Sequence, residues 1–220
     1  MPVTYEQIKQ DERINTYIRQ ADESMRAMGF TEHSFAHVTK CAQTASELLT
    51  DLGYSPREAE LARIAGYLHD IGNVVNRNDH AHSGALMAFR LLDELGMPAE
   101  DVAVVVTAIG NHDEHTAFPV NAVAAALILA DKSDVRRSRV RKGKDICSDI
   151  HDRVNYAVER AELTLDREAR TLTLTMNIDT AICPVMEYFE IFTVRMLLCR
   201  KAAQFFGLEF KLRINDAVIL

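Results

Sequence analysis

Long apolar runs, paired cysteines and low-complexity stretches are all missing from this chain of 220 residues. The longest uninterrupted apolar run is nine residues, 122–130, against the roughly 20 that span a bilayer. The first residues, MPVTYEQIKQ, lack the basic-then-apolar layout of a signal peptide. The four cysteines, at 41, 147, 183 and 199, form no CxxC pair. Neither a cysteine zinc site nor a secreted disulfide frame is therefore expected, and the thiols read as reduced and mostly buried. With 48% hydrophobic and 26% charged residues, the composition excludes disorder and fibrous repeats. The expectation is a soluble cytoplasmic protein with no membrane partner.

What is present is unevenly distributed. Seven of the eight histidines lie between His33 and His115. The formal net charge is −7, yet the segment 136–144 (RRSRVRKGK) holds six basic groups and no acid, leaving −13 for the rest. An acidic chain with one cationic segment is not built to bind a nucleic acid polymer, though that segment suits a small phosphorylated ligand.

Helical periodicity and its punctuation predict helices at about 5–28, 34–52, 56–70, 80–95, 98–113, 119–138 and 146–162, several closed by glycines (Gly29, Gly53, Gly96). Ser55 with Glu58 forms a capping box, and Pro56 occupies the first turn of the third helix. Near residue 162 the period changes to 2. ELTLD and TLTLTMNI alternate around a turn at 166–170, a long amphipathic helix follows at about 184–206, and LEFKLRI alternates again. The expected fold is mainly α: a helical core of six to seven helices over 1–160, and a small ββαβ appendage over 161–220 packed on it. The long helix has covering the hairpin sheet as its simpler role, and a homodimer interface as the other.

Polar residues sit on the apolar stripes of five successive helices. His37 leads the stripe of Cys41, Ala45 and Leu48; His69 follows Ala62 and Ala65, with Asp70 beside it; His80 precedes Gly84, Met87 and Leu91; His112 follows Val102, Val105 and Ile109; Asp131 aligns with Ala124, Leu127 and Ile128. One such histidine is ordinarily a hydrogen-bonded core residue. An ionised carboxylate on a buried face costs several kcal/mol unless paired or coordinated. Four imidazoles and two carboxylates converging would suit Fe, Mn, Co or Zn. Six protein ligands exceed what one catalytic ion needs, so two metals sharing a carboxylate is the natural arrangement.

This ordered set resembles the HD-domain superfamily of metal-dependent phosphohydrolases, in its two-metal, six-ligand branch. The local matches are LHDIG at 68–72, the HxxxGA spacing at 80–85, IxxH at 109–112 and LADK at 129–132, within roughly residues 30 to 140. The resemblance implies an HD-type helical core. It also implies His37, His69, Asp70 and Asp131 as ligands of a first metal, with His80 and His112 as the additional ligands of a second. Asp70 would be the bridge and a helper in accepting a proton. The cofactor implied is one or two divalent transition metals, iron or manganese first, with zinc, cobalt or magnesium as alternatives. The reaction implied is hydrolysis of a nucleotide or other small phosphoester by hydroxide activated between the metals. The alternatives are an HD-type di-iron oxygenase and a nucleotide-sensing module without turnover.

Many members continue the motif as HDIGK, whereas Asn73 stands here. Lys132, Arg136 and Arg137 are the candidates for phosphate contact. His82 is an alternative to His80 as ligand. His33 lacks the following Glu of an HExxH motif, His115 reads as a neighbour of the site, and His151 as structural or exposed.

Overall fold

The computed structural model describes every residue except 1, 142, 144–148 and 220. Lys142 and Lys144 of the basic segment, Cys147 and the start of the helix expected at 146–162 lie outside the described residues. The chain divides into two compact units, Met1–Asp131 and Lys132–Leu220.

The first unit is helical: α1 (Tyr5–Gln10), α2 (Glu12–Ala27), α3 (Phe35–Asp51), α4 (Pro56–Leu68), α5 (His80–Glu94), α6 (Ala99–Gly110) and α7 (Ala122–Lys132), whose last residue begins the second unit. The single helix expected over 5–28 is two. Asp11 ends α1 in an extended conformation and its carboxylate accepts from the backbone N–H groups of Arg13 and Ile14, capping α2. The capping box of α4 forms as expected, and Gly29, Gly53 and Gly96 take the left-handed conformation after α2, α3 and α5. In α7, residues 123–130 are all buried, which is why its sequence is apolar on every side.

Two close approaches between backbones fix the helix ends that carry the inward polar residues. A Cβ on Gly66 of α4 would lie 2.6 Å from the Ala42 Cα of α3, so α3 and α4 pack backbone to backbone. After α4 the chain makes one 3-10 turn, Ile71–Val74, against the start of α5. A Cβ on Gly72 would stand only 2.0 Å from the His80 carbonyl oxygen and 2.5 Å from the Gly84 nitrogen. Only glycine fits there, so the glycines of LHDIG and HxxxGA share one contact.

The second unit contains a 3-10 turn (Arg137–Arg139), α8 (Ile150–Ala157), β1 (Val158–Asp166), β2 (Thr171–Ile178), α9 (Val185–Phe205), β3 (Glu209–Ile214) and the short β4 (Ala217–Val218). The sheet order is β1-β2-β3-β4, antiparallel except for the parallel β2–β3 pair that α9 connects. Leu172, Leu174 and Met176 of β2 and Phe210, Leu212 and Ile214 of β3 are buried, as are Tyr188, Phe192, Met196 and Cys199 of α9. α9 packs on β3, the strand that follows it. The unit begins near residue 132, about thirty residues before the expected boundary. The reason lies in α8, which packs on α9, β1 and the 3-10 turn, with Arg153 joined to Glu187 at 2.7 Å. Among the described residues, no helix is long and apolar enough to cross a membrane.

Candidate metal centre

Five elements of the first unit end or begin at one point. His37 lies in the first turn of α3, His69 follows α4, His80 opens α5, His112 follows α6, and Asp131 stands near the end of α7. The four imidazole rings form a chain. Centroids are 5.1 Å apart for His37 and His69, 5.0 Å for His69 and His112, and 5.0 Å for His80 and His112. All four histidines and Asp70 are buried.

Asp70 sits between two groups of donors. Its Oδ2 is 3.5 Å from His37 Nε2 and 3.3 Å from His69 Nε2, while its Oδ1 is 3.5 Å from His80 Nε2. Asp131 Oδ1 closes the first group, 3.4 Å from His37 Nε2 and 3.8 Å from His69 Nε2. His112 closes the second, its Nε2 3.2 Å from His80 Nε2. The structure thus brings together all six residues named as ligands from the sequence.

The tautomers are set by the backbone. His69 Nδ1 lies 2.8 Å from the Gly66 carbonyl, His112 Nδ1 2.6 Å from that of Ile109, and His80 Nδ1 3.0 Å from that of Arg77. Each contact is with the carbonyl three residues earlier. A carbonyl can only accept, so Nδ1 carries the proton and Nε2 is left with its lone pair facing inward. For His69 and His112 the carbonyl belongs to the last turn of a helix and lacks a partner within it; this gives IxxH its spacing. Such backbone contacts to the distal nitrogen are the usual support of a metal-binding imidazole.

His69 Nε2 is fully buried and makes no hydrogen bond. A buried polar atom left without a partner costs about 1–3 kcal/mol, and here it faces two carboxylates and two further imidazoles. Donor atoms of His37, Cys41, His69 and Asp131 lie within 4.8 Å of one another, as do those of His69, Asp70 and His112. The residues therefore fit a divalent transition metal, with nitrogen and oxygen donors of borderline character. Cys41, one turn after His37, places its Sγ 3.7 Å from the imidazole.

The charges are strongly coupled. Burial pushes the Asp70 carboxyl up, but the imidazoles of His69, His33 and His37 outweigh it and hold the group well below the usual carboxylate range. Burial likewise pushes the His69 imidazole down, and Asp70 and Asp131 reverse this to a net rise.

The remaining candidates fall elsewhere. His82 is exposed and pairs with Asp79 at 3.6 Å, so His80 is the imidazole that faces the cluster. His33 packs edge-on to His37 at 5.7 Å, His115 is exposed, and exposed His151 lies 3.4 Å from Asp149. Lys132 is buried. Arg136 pairs with Asp134 at 2.8 Å, and Arg137 donates to the Tyr156 carbonyl at 2.6 Å and lies over the Tyr156 ring. Both arginines are held inside the second unit.

Three residues escaped sequence reading. Asp113 Oδ2 is 3.3 Å from His80 Nδ1, a contact the adjacent His-Asp pair does not announce. Asn73 is buried and donates from Nδ2 to Asp70 Oδ1 at 2.8 Å and to the Asp70 carbonyl at 3.0 Å. Arg77 reaches Asn73 Oδ1 at 3.3 Å.

The family comparison returns the same segment. Residues 34–137 match the HD domain family. An uncharacterized protein of Methanocaldococcus jannaschii is 25% identical, over 72% of this chain and 70% of that protein. Ribonuclease Y of Opitutus terrae is 30% identical over 51% of this chain, a stretch that spans only 20% of the ribonuclease. Among solved structures, a predicted HD superfamily hydrolase from an uncultured Thermotogales bacterium is 29% identical. That match covers 56% of this chain and 67% of the other, with a TM-score of 0.45.

Proposed function

We propose, from the match of residues 34–137 to the HD domain family, that this chain is a metal-dependent phosphohydrolase acting on a nucleotide or other small phosphoester. The observation that carries this reading is the two-sided Asp70 carboxylate, with His37, His69 and Asp131 grouped around one side and His80 and His112 on the other.

In this reading His37, His69, Asp131 and Asp70 would hold one ion, and His80 and His112, with Asp70 shared, would hold a second. Bound there, the metals supply Lewis acidity, bringing the pKa of water near neutrality and neutralising charge on a phosphoryl group. The chain's part is to keep the donors in place and correctly protonated. Backbone carbonyls fix the tautomers of His69, His80 and His112. The Asn73 amide holds the Asp70 carboxylate. Because Asp70 stays ionised through the neutral range, it serves better as a ligand than as an acceptor of protons. Asp113, beside His80 Nδ1, stabilises positive charge on the second group.

The test is anaerobic purification, metal analysis, and a panel of nucleotides assayed for phosphate release with manganese and with iron. Activity is expected in the wild type and is expected to fall about a thousandfold or more in Asp70→Ala, whose circular dichroism stays native. Full activity in metal-free Asp70→Ala protein contradicts the reading. Substrate-dependent consumption of O₂ without phosphate release supports the oxygenase instead.

A further inference from the structure

A cleft of about 530 Å³ in the first unit is lined by Phe30, Arg77, His82, Asp113 and His115, among others. It borders the cluster through two of these. Asp113 follows His112 and touches His80. Arg77 lines the cleft and also extends to the donors, with Nη1 3.4 Å from His80 Nε2 and 3.9 Å from Asp70 Oδ1.

The bonding of Arg77 differs from that of Arg57 and Arg153. Arg57 holds Asp101 with two nitrogens at 3.1 and 2.7 Å, and Arg153 holds Glu187 at 2.7 Å. Arg77 makes no such fork. Among the described residues its one hydrogen bond to oxygen is the 3.3 Å contact from Nη1 to the neutral Asn73 amide, and its guanidinium carbon lies 6.0 Å from the Phe30 ring. A guanidinium offers five donors in a planar fork matched to phosphate. The side chain is a quarter exposed and lines the cleft, so its remaining donors are within reach of a ligand there. Coordination of His80 Nε2 would take away the other neighbour of Nη1, since a metal-bound nitrogen accepts no hydrogen bond.

We propose that Arg77 binds the phosphoryl group of the substrate at the inner end of this cleft, held in place by Asn73, with the rest of the substrate between Phe30 and His115. The inference rests on the phosphohydrolase reading but concerns an anion site that can be measured apart from turnover. It makes one cation of the first unit, remote in sequence from the basic segment 136–144, the main determinant of phosphate affinity.

The experiment is calorimetric titration of inorganic phosphate into the manganese-loaded full chain, with metal content determined on the same samples. Arg77→Ala is expected to weaken phosphate binding about tenfold, the loss of a charge-assisted fork. Arg77→Lys is expected to fall between, since it keeps the charge and not the fork; it also serves if the alanine variant does not fold. Metal content is expected to be unchanged in both. A weakening of less than threefold, or a wild type that binds no phosphate, overturns the proposal. A wild type that holds no metal, yet binds phosphate in an Arg77-dependent way, removes the phosphohydrolase reading and leaves this one standing.

Discussion

In the unit Met1–Asp131 the buried polar side chains converge: His37, His69, Asp70, His80 and His112 direct donor atoms at one another, and His69 Nε2 has no hydrogen bond. In the unit Lys132–Leu220 several buried polar groups are instead bound to one another or to the backbone. Arg139 donates to the Asp134 carbonyl at 3.0 Å, Asp134 pairs with Arg136 at 2.8 Å, and Asn155 donates to the His151 carbonyl at 2.8 Å. Burial and charge are alike in the two places, but the use of lone pairs is not. Imidazoles whose Nδ1 is used and whose Nε2 is turned inward form a receptor for a cation. A guanidinium against a backbone carbonyl is a tie between segments.

That contrast can be broken from either side. Apart from removal of Asp70, the largest effect is expected from Gly72→Ala. Its new methyl would collide with the His80 carbonyl and the Gly84 nitrogen, both backbone, so α5 must shift and carry His80 with it. A loss of about 3 kcal/mol is expected, read as a fall in the denaturation midpoint together with loss of bound metal. Retained stability and full metal content would show that this approach does not position His80.

A smaller effect is expected from Asn73→Ala, which removes the amide holding Asp70 Oδ1. Metal affinity should fall about ten- to a hundredfold, the usual scale for residues that orient a ligand, with the fold intact. Unchanged affinity in a chelator titration would limit Asn73 to a core role.

The smallest is Arg153→Ala in the second unit. Its half-buried ion pair with Glu187 is worth up to about 1 kcal/mol, and metal content should not change. A loss of metal in this variant would show that the ion pair of the second unit bears on the metal centre.

Five of the converging side chains were legible in the sequence because each sits at a helical interval from apolar neighbours, with Asp70 beside one of them, and a carboxylate on an apolar stripe such as Asp131 needs an explanation wherever it occurs. The capping box at Ser55 and the switch to period 2 were equally plain, since both are local. What escaped was decided by loops. Asp11 interrupts an otherwise continuous periodicity by capping α2 with its own side chain, and no spacing rule separates that from a solvent-facing acid. Asn73, Arg77 and Asp113 lie between helices, where periodicity says nothing about direction; only the folding of 71–80 and 111–116 brings them to the donors. The basic segment drew attention by composition, yet its Arg136 and Arg137 are bound within their own unit. A charge run records net charge and not the partners each charge finds.

The proposed function requires that the inward set of His37, His69, Asp70, His80, His112 and Asp131 hold a metal. The most direct test is elemental analysis of the full chain purified anaerobically and dialysed without chelator, beside Asp70→Ala handled identically. A transition metal is expected to be retained at one to two equivalents by the wild type and lost from the variant. A folded wild type that retains none, and gains no thermal stability when manganese or iron is added, would contradict it.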